Sequence, residues 1–150
     1  MPTQDQMDHL FREVGLTVHL SQVLDVSVRA LIGVSLRDTF DETEKVLTIS
    51  DSRATLGYAI RAITELGVLD GVGLTALRVA LEARNYVAHE MFIRHTHAFT
   101  DDHAYDEALS ALMAKQKDIA IATGLMSGLA QGVARATRTR IRVRQDTPPS

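Results

Sequence analysis

The chain has 150 residues, 45% of them hydrophobic and 23% charged, with a formal net charge of -3, which is enough for one domain with its own core and short for two. These totals exclude a strongly basic partner-binding protein and a disordered acidic chain. There is no Cys, which excludes disulfides and thiolate metal sites, and aromatics are only 5%, so the core has to be aliphatic.

Pro occurs only at positions 2, 148 and 149, so no proline breaks the interior. Pro2-Thr3, with Gln6 three residues after Thr3, reads as a helix start. Leu10, Val14, Val18, Leu20, Val23, Leu24, Val28, Leu31 and Ile32 follow at helical spacing and predict one long first helix over 4–36. Residues 37–51 lose that pattern and gain charge, which predicts a loop with at most one short helical turn. A second helix is expected over 53–66, stopped by Gly67, and a third over 72–93 after the connection VLDGVG. RHTHAFT is a loop, and Thr100 or Asp101 can cap a fourth helix over 102–137. No repeat and no strand pattern interrupts this series. The expectation is an all-α, four-helix bundle of up-and-down type, with residues 1–137 as the domain and 138–150 as a basic, flexible tail. The start, MPTQDQMDHLF, lacks the basic residues and apolar run of a secretory leader, and a cytoplasmic location is expected.

The third helix holds the least ordinary stretch, ARNYVAHEMF over 83–92. At alternating steps of three and four, its seam reads Leu74, Leu77, Leu81, Arg84, Ala88 and Met91, and only Arg84 is not apolar. A guanidinium in a bundle seam is costly without a partner or a wet cleft. Asn85 and His89 are four apart on a second stripe with Arg78 and Glu82, so they are neighbours. Arg84 and His89 are five apart, about 140° around an α-helix, and would flank a groove. Two readings are open at this point. In one, Arg84 pairs with a carboxylate of the first helix and the polar group is structural. In the other, a fixed cation and a titratable imidazole form a site.

The string Arg84-Asn85-Tyr86-Val87-Ala88-His89 resembles the motif of the HEPN superfamily, an Arg, a polar residue and then a His late in a helix of an all-α bundle. Thr55-Leu56-Gly57 is similar to a segment of some HEPN-like proteins. The resemblance implies a metal-independent endoribonuclease of toxin or defence type. It needs no cofactor and acts as a homodimer whose Arg–His pairs share one cleft. Arg84 would bind the scissile phosphate, His89 would handle the proton of the ribose 2′-hydroxyl, and Asn85 would hold their geometry. RNA would be the substrate, and an antitoxin or regulatory protein a further partner. Met91 stands where a Tyr follows the His in HEPN toxins paired with nucleotidyltransferases, so that pairing is not implied. HEPN-like modules that bind RNA or protein without cleaving are the main alternative.

Three further features are outside the motif. His95, His97 and His103, with Asp101 and Asp102, suit a divalent metal by chemistry but match no metal spacing, and no metal site is assigned. The loop follows His89 closely, so His95 and His97, with Arg78, are candidate RNA contacts. Ala120, Gly124, Gly128, Gly132 and Ala136 recur every four residues in the fourth helix, a smooth ridge expected to meet the first helix or a second copy. The uncharged run 119–134 is short of the roughly 20 residues of a membrane span, and no membrane partner is expected. Arg135 and Arg138 begin a basic segment that could meet RNA phosphates.

Overall fold

The computed structural model describes residues 1–35 and 55–145. Among them every regular element is helical and there is no strand. The elements are α1 (Gln4–Ser35), α2 (Leu56–Glu65), α3 (Gly71–Asn85), a π turn (Tyr86–Glu90), α4 (Met91–Arg94), a 3-10 turn (Thr96–Phe99) and α5 (Asp102–Gln145). The loop expected over 37–51 lies outside the described residues. The end of the expected tail, 146–150, does too, but α5 runs past the expected end at Thr137 to Gln145.

Local chemistry accounts for the ends. Thr3 and Gln6 form the reciprocal capping box: the Thr3 amide donates to Gln6 Oε1 at 2.7 Å, and the Gln6 amide to Thr3 Oγ1 at 3.3 Å. Thr55 caps α2 by accepting from the Tyr58 amide, and Asp70 caps α3 by accepting from the Gly73 amide. Gly67 ends α2 at φ +62°, a left-handed conformation that a Cβ would strain. Asp101 is the cap of α5, accepting from the Ala104 amide at 2.8 Å.

α1 and α5 lie side by side and run in the same sense. Gln116 of α5 donates to the Glu13 carbonyl at 3.0 Å, and Ser127 meets Ser27 at 3.0 Å further along both helices. α3 runs against them, since Leu77 packs with Leu24 and Leu31 whereas Val87 and Met91 pack with Leu10. α2 joins α3 through a tight turn and runs against it. α1 and α2 therefore share a direction, and the simple up-and-down alternation does not hold.

Among the described residues the core has two parts. The larger combines Leu24, Val28 and Leu31 of α1 with Ile60 and Ile63 of α2, Leu77, Ala80 and Ala83 of α3, and Ile119, Ala122 and Met126 of α5. The smaller gathers Leu10, Val87, Met91, Tyr105 and Leu112 at the other end. Thr17 is also fully buried in α1, its hydroxyl satisfied by the Glu13 carbonyl at 2.8 Å. Val18 and Val23 of the expected apolar stripe are instead exposed, because α1 carries more apolar residues than its neighbours cover.

Candidate functional site

The buried edge of α3 is not the expected one. It runs through Gly73, Leu77, Ala80 and Ala83, and continues through Val87 and Met91. Arg84 and Ala88 are exposed, and Leu74 and Leu81 are half-buried. The alanines let α5 approach, so the helix turns its small residues inward. Arg84 does not interrupt the seam; it stands beside it.

The motif also bends the helix ladder. Residues Tyr86–Glu90 form a π turn, and the Met91 amide donates to the Tyr86 carbonyl five residues back. Such a wider turn rotates the chain less per residue than an α-helix, so His89 lies at a smaller angle from Arg84 than the 140° of a regular helix. Inserted π turns of this kind recur at functional sites.

Arg84 lines a cavity of about 500 Å³ between α1, the start of α2 and the end of α3. Val18, Val26, Leu56, Val87 and Ala88 form its apolar walls, and Ser21, Gln22, Asp25 and Thr55 complete it. Arg84 Nη1 donates to Asn85 Oδ1 at 3.0 Å, so the adjacent amide orients the guanidinium. Among the described residues no carboxylate pairs with Arg84, and the structural reading of an ion pair to the first helix finds no support. The fork keeps donors available for an anion in the cavity.

The other expected site residues are placed as follows. His89 is exposed on the π turn and is not part of the cavity wall. Arg78, His97 and Arg138 are exposed, and Arg135 is exposed toward the far end of α5 from the 3-10 turn. His95 is half-buried and paired: its Nε2 lies 2.6 Å from the Tyr86 hydroxyl. Burial raises the Tyr86 pKa above its ordinary value, Arg94 opposing and Glu90 adding to the effect. The phenol therefore stays protonated at neutral pH and shares a single hydrogen bond with the imidazole. Lys115 sits 5.7 Å from the centre of the Tyr86 ring. This clamp ties the start of the π turn to the residue after α4.

His103 pairs with Glu107 at 3.3 Å, and Asp101 is engaged as a cap. Among the described residues no group of three His, Asp or Glu side chains could hold a metal ion. None of their helices is long and apolar enough to cross a membrane.

Sequence reasoning missed the α1 wall of the cavity. Its one signal was Asp25, a carboxylate inside the apolar run Val23 to Val28. It also missed the exposed aromatic group of Phe11, Phe92 and Phe99, whose ring centres are 6.0 to 6.2 Å apart. Comparison of the chain with family models, curated proteins and solved structures finds no match.

Proposed function

We propose that the chain is a HEPN-like, metal-independent endoribonuclease that works as a homodimer. The observation that carries this reading is Arg84 in the wall of a cavity, oriented by Asn85 and with donors to spare. A planar, permanently charged fork in such a place suits a phosphate diester. His89, on the widened turn that follows, takes the proton of the ribose 2′-hydroxyl. The 2′-oxygen then bonds to phosphorus, the bond to the 5′-oxygen breaks, and Arg84 stabilises the charge that builds on the phosphoryl oxygens. The leaving 5′-oxygen gains a proton, for which a second copy's His89 is the available acid. The products are a 2′,3′-cyclic phosphate and a 5′-hydroxyl.

The same side of the molecule offers a seat for that second copy. Phe11 precedes Val18 by two helical turns on α1, and Val18 and Val26 are exposed. Arg84, Ala88 and Phe92 follow one another at steps of four, with Phe92 exposed as well. Apolar residues thus flank the cavity mouth on both helices.

The test is cleavage of a mixed RNA pool with EDTA present. Wild type is expected to leave cyclic-phosphate ends. Arg84→Ala and His89→Ala should each lower the rate by at least about 100-fold at unchanged fold and oligomeric state. Asn85→Ala should lose less. Cleavage that survives both substitutions would remove the site. One observation favours the non-catalytic module: His89 does not line the cavity. A wild-type chain that binds RNA without cutting it would decide for that reading.

A further inference from the structure

The cavity next to Arg84 holds a carboxylate that the phosphate chemistry does not use. Asp25 faces it from α1, three residues after Gln22, so both side chains reach the same wall. Asp25 Oδ2 accepts from Arg29 Nε at 2.9 Å, and Oδ1 is buried with no hydrogen-bond partner among the described residues. An ionised carboxylate only accepts, through about four lone-pair sites. Asp25 thus has one donor among the described residues, and its side chain, about one-third exposed, lines the cavity and can accept another from a group bound there. Buried polar atoms left in this condition are few in folded proteins and call for an explanation. Around Asp25 the walls are aliphatic, from Val18, Val26, Leu56 and Val87, and suit a flat ring. The volume of about 500 Å³ is within the range of small-molecule sites, which run from about 300 to 1,000 Å³.

We propose that the cavity holds the base beside the scissile phosphate, and that Asp25 selects a base with an exocyclic amine over uracil. Cytosine, adenine and guanine each present an N–H₂ that a carboxylate oxygen can accept from, as Asp and Glu do with the cytosine amine. Uracil presents carbonyl oxygens on either side of one N–H, and these repel the carboxylate. Arg84 takes the phosphate at the same cavity, so base and phosphate of one nucleotide span its two charged lining groups. The inference rests on the ribonuclease reading only for the ligand being a nucleotide.

The experiment compares minimal pairs by calorimetric titration of the full chain: the 3′-monophosphates of cytidine against uridine, and of adenosine against inosine. Within each pair the amine is replaced by a carbonyl. The amine-bearing member is expected to bind about ten-fold more tightly in wild type. Asp25→Asn supplies an N–H for a carbonyl, so it should level or invert both preferences. Equal affinities in wild type, no binding of any of the four, or a preference unchanged in Asp25→Asn would each overturn the inference. Asp25 also holds Arg29, so the variant's circular dichroism and melting midpoint are measured in parallel, and the wild-type comparison stands without it. A preference found in a chain that cuts no RNA would remove the nuclease reading alone. Cleavage without base preference would remove only the role of Asp25.

Discussion

Two stripes of small residues run through this bundle, and among the described residues only that of α3 packs into the core. Ala80 and Ala83 of α3 are fully buried in the main cluster, with Ala122 of α5 in the same cluster. Gly124, Gly128 and Gly132 of α5 point away from it. Among the described residues, a Cβ added at any of the three would meet nothing within 4 Å. Of the two partners expected for the glycine ridge, the first helix and a second copy, the first is not the one among the described residues: the glycines are exposed, and Ser27 and Ser127 mark where α1 and α5 touch. Glycine spacing in a sequence indicates room for a neighbour. It does not indicate that one is there, because the alanine edges already let the helices pack.

The largest way to break this contrast is to overfill the used stripe. Ala80→Leu forces extra methylenes into a closed core and should destabilise by about 1–3 kcal/mol. Urea unfolding reads this as a lower midpoint at unchanged slope. The unused stripe should respond with the opposite sign. Gly128→Ala adds helix propensity in open space and should stabilise the isolated chain by about 0.8–1.0 kcal/mol. A loss of stability there, or a change in sedimentation, would mean that another chain covers this face. Thr55→Ala stands between the two cases, removing the cap of α2 at the edge of the cavity. It should cost about 1 kcal/mol, read by the same unfolding curve.

The sequence was most legible where chemistry is local. Thr3 and Gln6, Gly67 and Asp101 mark helix ends, and each acts through backbone groups a few residues away. The all-α class followed from uninterrupted helical spacing. What could not be read was rotation. On α3 a seam through Leu77, Leu81 and Arg84 and one through Leu77, Ala80 and Ala83 are both regular, and they differ by one residue. Alanine carries little hydrophobic signal, yet it is buried here because α5 comes close. The π turn was hidden for a related reason. Its hydrogen bond shifts from the fourth to the fifth residue without any Pro or Gly to announce it. For the site, Arg84 and Asn85 were legible as a pair, but Asp25, from about 60 positions earlier, lines the same cavity as Arg84, a juxtaposition only the fold creates.

The smallest expected effect concerns pH at the π turn, whose Tyr86 and Val87 pack in the smaller core cluster. The phenols of Tyr86 and Tyr105 are both pushed above the ordinary value of 10.0, in each case first by burial. For Tyr86, Arg94 lowers and Glu90 raises the value; for Tyr105, Asp106 raises it further. A raised phenol pKa means that the folded chain holds its proton more tightly than the unfolded chain. The associated stability is complete below the unfolded value, near 10, and is lost as pH rises through the folded one. Stability should therefore decline above pH about 10. Tyr86→Phe removes one of the two groups, along with the hydrogen bond to His95. Urea midpoints followed from pH 7 to 11 should then fall less steeply in the variant than in wild type, from a lower starting value. Parallel curves would assign the alkaline loss to Tyr105 or to other groups, and the π turn would be held by its packing around Val87 and Met91 alone.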